Sequence, residues 1–192
     1  SALTGNLPEF LVRNNYVQRS VTLFMAIKVI LVETGTVMGV NMRGIAFIYV
    51  ATAVVAAILI TGYVTFVERE LWKRTALLVI AMLLLPPLST EYKLIHLLIP
   101  LFLFVNSTEQ SRADAIYALL FGLLLIPKDY YLFPKSISDS GVPDISIAIF
   151  LNPAIMLLMS SLIIAGGLRR WRQARRQRHP YPLPVEQSLA SN

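Results

Sequence analysis

The sequence predicts an all-α fold, a polytopic transmembrane helical bundle of about five spans with one further interfacial or re-entrant helix. Of the 192 residues, 56% are hydrophobic and the mean hydropathy is +0.64, whereas soluble domains are about 45 to 50% apolar. The apolar residues form several separate runs, so one signal peptide does not account for the average. Charged residues concentrate between those runs, at the expected membrane boundaries.

Residues 1–43 are predicted to form an external loop followed by the interfacial or re-entrant helix. The apolar stretch 20–40 carries Lys28 and Glu33, and two charges make a lipid-facing span costly. A helix that dips into the membrane and packs on its neighbours is favoured, while a true span stays open. Ser20 is the expected N-cap of this helix.

The transmembrane bundle is assigned to residues 44–168. Its clearest span is 44–67, which carries no charge, and about twenty apolar residues suffice to cross a hydrocarbon core of about 30 Å. The connector 68–74 is predicted to hold an interfacial tryptophan, Trp72. Four further helices are expected at 75–87, 94–105, 113–126 and 145–168, the last of them kinked at Asn152–Pro153.

A polar joint, residues 86–93, separates two short apolar blocks. A block of about thirteen residues covers only about 20 Å as a helix, so the joint must lie close to the membrane. Ionisable groups such as Glu91 and Lys93 cost about 2.5 to 3.5 kcal/mol each near the bilayer centre. The joint is interpreted as the wall or mouth of a polar cavity. The alternative is an ordinary tight loop from which Lys93 extends to the interface.

Residues 169–192 are predicted to be a basic cytoplasmic tail, partly disordered. The net charge is +6, and six arginines lie between positions 169 and 178. Lys and Arg near the helix ends number ten on the side of the tail and four on the other side. The positive-inside rule then predicts an integral membrane protein with a cytoplasmic C-terminus. This pattern indicates topology and contact with acidic membrane lipids, and no nucleic-acid partner.

The sequence has no cysteine and two histidines. Disulfides and thiolate metal sites are therefore excluded, and no metal or other cofactor is predicted. Neither a phosphate-cradling glycine loop nor a nucleophile elbow is present.

Charged and aromatic residues of two joints are expected to converge on the external face. Lys93 and His96 are three apart and Tyr92 and His96 four apart, so each pair can share a helix face. A cationic, aromatic-lined cavity suits the phosphate of an anionic lipid, while the alternative is that each residue only anchors the chain at the interface. The predicted lipid-phosphate site comprises Glu91, Tyr92, Lys93, His96, Lys128, Asp129 and Tyr130.

The run 85–94 reads Leu-Pro-Pro-Leu-Ser-Thr-Glu-Tyr-Lys-Leu and leads into a short helix with a proline at position 100. It resembles the C-terminal half of bacterial GT-C-type polytopic glycosyltransferases, most of all glycosyltransferase family 87. In that family a Pro-Ser-x-x-Tyr pattern lies between two short helices. Residues 18–20 are similar to an Asn-Gln-Ser element before a membrane-dipping helix, and residues 126–131 also look family-like. The resemblance covers about residues 10–168.

The resemblance implies an enzyme that moves a sugar, often mannose, from a polyprenyl-phosphate carrier to a lipid or glycan acceptor outside the membrane. Such enzymes carry their catalytic acid in a first external loop. This chain is expected to be a C-terminal fragment that begins after that loop, inactive alone, so no catalytic residue is assigned. Tyr92, Lys93, His96 and Lys128 would contact the donor phosphate. Two alternatives stay open: an O-antigen polymerase or ligase, and a transporter or flippase component with polar groups at mid-membrane.

Overall fold

The computed structural model describes residues 20–33, 42–89, 91–107, 114–126, 128 and 146–177. All the regular secondary-structure elements in these residues are helices, which confirms the predicted all-α class. In chain order the elements are α1 (Leu23–Glu33), α2 (Met42–Phe66), α3 (Leu71–Leu84), a 3₁₀ helix (Glu91–Leu97), α4 (Leu98–Val105), α5 (Asp114–Leu125) and α6 (Ala148–Gln177).

Two of these helices, α2 and α6, are long and apolar enough to cross a membrane, which is fewer than the five predicted. The shorter helices follow from the breaks in the sequence. Pro86 and Pro87 cannot continue α3, whose 14 residues extend about 21 Å. The described part of α1, 11 residues, extends about 16 Å, and whether the stretch 20–40 lies in the interface or spans stays a prediction.

Helix α2 is apolar on all sides and is left largely uncovered by the rest of the chain. Only 6% of its most apolar segment is buried, against 44% for α6. A helix of this kind needs an apolar environment or a partner around it. Its exposed large side chains are Phe47, Ile48, Val50, Val54, Val55, Ile58, Leu59 and Phe66.

Helix α3 lies at the centre of the bundle and packs against α2, α4, α6 and the 3₁₀ helix. Its buried residues Ala76, Ile80 and Leu83 recur every three to four positions, the spacing of one helix face. Helices α2 and α3 run in opposite directions, since Tyr49 near the start of α2 donates to the Leu84 carbonyl at the end of α3, at 3.0 Å. The alternation continues along the chain, since Trp72 at the start of α3 contacts Phe104 at the end of α4 and Tyr117 near the start of α5. The bundle therefore has a joint end, marked by residues 85–89 and Lys128, and a connector end, marked by residues 67–70.

The structure corrects two local expectations. Trp72 is not an exposed side chain: it is 4% exposed and packs edge-on against Phe104 and Tyr117, with ring centroids 4.9 and 5.0 Å away. Helix α6 does not stop at Leu168 but continues to Gln177, so the arginine run up to Arg176 is helical. Pro153 lies inside this helix, and the kink expected there stays a prediction.

Candidate functional site

At the joint end, the segment before α1 docks on the proline-rich joint. Two prolines end α3 and leave nearby carbonyls without helical donors. Residues 20–22 supply donors instead: Val21 N and Ser20 Oγ donate to the Ser89 carbonyl at 3.0 and 3.1 Å. Thr22 Oγ1 donates to the Pro87 carbonyl at 3.5 Å. Two of the three segments that carried the family resemblance, 18–20 and 85–94, thus meet through Ser20 and Ser89.

The sequence predicted Ser20 as the N-cap of α1, but the cap in the structure is Thr22. Thr22 Oγ1 accepts from Met25 N, three residues on, at 3.3 Å, which is N-cap geometry. Ser20 Oγ lies 3.1 Å from Thr22 Oγ1 and accepts from Thr22 N at 3.4 Å. Ser20 therefore holds the capping residue in place while it bonds to the joint.

One buried hydroxyl at this junction is unpaired. Ser89 is 1% exposed, and within the described part of the chain its Oγ makes no hydrogen bond. Buried polar atoms are nearly always paired, so such an orphan calls for an explanation. A bound polar group would satisfy Ser89 Oγ.

Of the predicted site residues on the first joint, Lys93 and His96 are described with their side chains. His96 is exposed and its Nδ1 lies 2.8 Å from the Lys93 carbonyl, so the two residues adjoin on one side of the 3₁₀ helix. Lys93 is half-buried. Glu91 and Tyr92 lie in the same helix, but their side chains fall outside the described residues.

On the second joint, Lys128 is half-buried and donates from Nζ to the Ile126 carbonyl at 3.1 Å. Its own carbonyl accepts from Ser146 Oγ at 3.0 Å, which ties the chain after α5 to the start of α6. The 3₁₀ helix packs on α5, and the alternating helix directions place both joints at the joint end. The predictions for Asp129 and Tyr130 lie outside the described residues.

Lys28, one of the two charges in the apolar stretch 20–40, is covered by the bundle. Its side chain is 1% exposed, on a helix that packs on α6. Burial lowers the pKa of Lys28 below its ordinary value of 10.5.

An apolar groove with a volume of about 550 Å³ opens from the joint end along the bundle. This groove was not predicted from the sequence, because its walls come from four helices that are distant along the chain. On α2 it extends from Ile45 to Ile60, about 22 Å. Its lining includes Phe24 and Tyr49, whose rings are 4.9 Å apart. The other lining residues are Leu23, Ile27, Ile48, Thr52, Ala53, Ala56, Ile80, Ala81, Leu84, Leu85, Leu157, Ser160, Ser161 and Ile164.

At the connector end, a closed ionic cluster surrounds Glu68, which is 1% exposed. Arg170 Nη2, on α6, donates to both carboxylate oxygens of Glu68 at 3.1 Å, and its Nη1 donates to Glu70. The backbone N–H groups of Arg69 and Glu70 donate to Glu68 Oε1 at 3.0 and 3.1 Å. Lys73 pairs with Glu70 at 2.7 Å. No local spacing in the sequence links positions 68 and 170, so the cluster was not predicted.

Tyr63 completes this cluster from α2. Its hydroxyl donates to Glu68 Oε2 at 3.3 Å and to the Ile163 carbonyl at 3.2 Å. The approach depends on Gly167, since a Cβ at that position would overlap the Tyr63 hydroxyl. Gly166, one residue earlier, has open space around it.

Comparison of the chain with protein-family models, with curated proteins and with solved structures finds no match. The family resemblance of the sequence therefore rests on its short motifs alone.

Proposed function

We propose that the chain is the carrier-binding membrane part of a polyprenyl-phosphate-dependent glycosyltransferase of the GT-C type. The observation that carries the proposal is an apolar groove whose lining reaches Leu23 and Leu85, the residues next to the hydrogen-bonded joint end. A polyprenyl phosphate has the same two parts, a long apolar chain and an anionic head. The groove would bind the polyprenyl chain of the lipid, and the joint end would bind its phosphate head.

The proposed placement is an integral one in a bacterial cytoplasmic membrane, with the joint end outside and the C-terminus in the cytoplasm. Helices α2 and α6 would span, and the shorter helices would complete a five-span bundle. The exposed apolar surface of α2 supports this placement, because exposing so large an apolar surface to water costs free energy. Single cysteines in the cysteine-free chain provide the test: His96→Cys and Arg176→Cys should react with an impermeant maleimide from opposite sides of the membrane.

The proposed head site comprises Lys93, His96 and Lys128 with Glu91, Tyr92, Asp129 and Tyr130. Lysine ammonium groups bind phosphate oxygens as point charges, and positive charge there would also stabilise the lipid phosphate as it leaves the sugar. Ser89 Oγ, buried and unpaired among the described residues, is a further donor near this site. The acceptor would be a lipid or glycan. The catalytic base that deprotonates its hydroxyl is assigned to no residue of this chain.

Photolabelling of the whole chain in detergent with a diazirine-bearing polyprenyl phosphate tests the groove. Ala53 and Ala56 line it, so the double variant Ala53→Phe/Ala56→Phe should lower the affinity by about tenfold or more, which corresponds to about 1.4 kcal/mol. The matched control Val55→Phe/Leu59→Phe adds bulk on the exposed side of the same helix and should leave binding unchanged.

Competition with polyprenol, which lacks the phosphate, tests the head site. The wild-type protein should prefer the phosphate form, and Lys93→Gln/Lys128→Gln should abolish that preference without affecting polyprenol. Arg169→Gln, an exposed cation at the connector end, is the control. Equal affinity of the wild type for both compounds would overturn the head site, and labelling outside the groove would overturn the carrier-binding function.

A further inference from the structure

The connector end holds a second cavity whose charges the ionic cluster does not use. It has a volume of about 290 Å³ and lies between the end of α2 and the last turns of α6. We refer to it as the arginine–tryptophan pocket. Its lining residues are Phe66, Val67, Arg69, Trp171, Ala174 and Arg175.

Two guanidinium groups in this pocket are available to a ligand. Within the described ranges, neither Arg69 nor Arg175 has a carboxylate partner. The Arg175 guanidinium stacks on the Trp171 ring, with Cζ 3.9 Å from the ring centroid. Stacking occupies the flat face of a guanidinium and leaves its in-plane N–H donors available. The pocket thus presents two cations, one of them oriented by an indole.

The carboxylates nearby do not oppose an anion in the pocket. Glu68 and Glu70 both bind Arg170, and Glu70 also binds Lys73. These contacts neutralise both acids within the adjoining cluster. The field in the arginine–tryptophan pocket is therefore set by Arg69 and Arg175, and it favours an anion.

The apolar side of the pocket indicates which kind of anion fits. Phe66, 82% exposed, ends the apolar length of α2, and the exposed side chain of Leu59 lies two turns back on the same helix. A ligand with its anionic group at Arg69 and Arg175 would extend apolar chains along this surface. Tryptophan is also the side chain enriched where membrane meets water.

We propose that the arginine–tryptophan pocket binds the phosphodiester headgroup of an anionic phospholipid in the inner leaflet. Arg69 and Arg175 hold the phosphate oxygens, Trp171 orients Arg175, and the acyl chains lie on α2. The proposal depends on the membrane placement above but not on sugar transfer, and the pocket lies at the opposite end of the bundle from the carrier head site.

The test measures lipid binding by the whole chain in mild detergent, using native mass spectrometry with short-chain phosphatidylglycerol, phosphatidylcholine and inorganic phosphate. Arg69→Gln/Arg175→Gln should raise the Kd for phosphatidylglycerol by about 30-fold. Arg172→Gln/Arg176→Gln removes the same charge from exposed positions of α6 outside the pocket and should change the Kd by less than about threefold. Arg69→Lys/Arg175→Lys retains the charge and should bind between these limits.

Equal losses in the two glutamine variants would overturn the proposal, because binding would then follow overall charge and not a built pocket. Equal affinity for phosphatidylcholine would overturn the proposal, because the pocket would then not select an anionic headgroup. Displacement of phosphatidylglycerol by inorganic phosphate alone would show that the ligand is phosphate and not a lipid. Failure of polyprenyl phosphate to bind the groove would leave these outcomes unaffected, so the two proposals fail separately.

Discussion

The two ends of the bundle use polar residues in opposite ways. At the connector end, both oxygens of the buried Glu68 are bonded, and Arg170, Tyr63 and the local backbone provide the donors. At the joint end, backbone carbonyls are bonded by Ser20 and Val21, yet Ser89 Oγ stays buried and unpaired among the described residues.

The comparison separates structural polarity from polarity that is available to a ligand. A satisfied network rigidifies a fold, while a partly satisfied one costs free energy until something binds. We therefore expect substitutions at the connector end to act mainly on stability, and substitutions at the joint end to divide into stability effects and binding effects. The following changes test this division, from the largest expected effect to the smallest.

Among these changes, Gly167→Ala, which adds one methyl group, should lower the free energy of unfolding most. The new Cβ would overlap the Tyr63 hydroxyl and crowd Glu68 Oε2, so two members of the cluster must move. We expect the free energy of unfolding to fall by about 3 kcal/mol, measured by denaturant titration in mixed micelles.

Two controls accompany this change. Gly166→Ala meets nothing within contact distance and should be neutral or slightly stabilising, because alanine is the better helix former. Tyr63→Phe removes the overlapping hydroxyl and should restore part of the loss when combined with Gly167→Ala. No recovery in the double variant would contradict the role given to Tyr63.

Arg170→Ala should lower the free energy of unfolding by about 2 kcal/mol, because the buried Glu68 carboxylate loses its charged partner. The effect falls below that of a fully buried pair, since the Arg170 side chain is 46% exposed and water screens the interaction. Thermal unfolding in detergent measures the loss. The double variant Glu68→Gln/Arg170→Gln should lose less than Arg170→Ala, and a greater loss would mean that the pair itself stabilises the fold.

Thr22→Val should cost about 1 kcal/mol, since valine has the same shape and lacks the hydroxyl that caps α1. Thr22→Ser keeps the hydroxyl and should retain most of the stability. Amide hydrogen exchange in the first turn of α1 provides the local measurement, with faster exchange expected for Thr22→Val only. Equal exchange rates in the two variants would show that the Thr22 hydroxyl does not cap α1.

The two serines that meet at the joint should respond differently to alanine. Ser20→Ala loses the bond to the Ser89 carbonyl and should cost about 1 kcal/mol. Ser89→Ala removes a hydroxyl with no described partner and should be neutral within about 0.5 kcal/mol, while it weakens polyprenyl phosphate binding. A loss of stability without a loss of binding in Ser89→Ala would show that the joint is structural, like the connector end.

Several features were readable from single stretches of sequence. The apolar run without charges gave α2, from Met42 to Phe66, within two residues of the predicted bounds. The two prolines predicted the break after α3, because proline has no backbone N–H to donate and cannot continue a helix. The spacing of Lys93 and His96 gave their adjacency on one helical segment.

Other features could not be read in this way. Trp72 follows a charged stretch and resembles a membrane-interface residue, but packing against Phe104 and Tyr117 from two later helices buries it. The arginine run after Leu168 has the composition of a tail, yet its described part continues α6 as helix, and Arg170 within it pairs with Glu68.

By itself, the sequence determined the helical class, the breaks between helices and the apolar character of α2, because these depend on the hydropathy and backbone geometry of neighbouring residues. Only the tertiary structure decided the groove, the Ser20–Ser89 junction and the Glu68–Arg170 cluster. Each of these joins residues that are distant along the chain, from 69 positions at the junction to 102 in the cluster. Contacts of that kind depend on how the helices pack, and no local pattern records them.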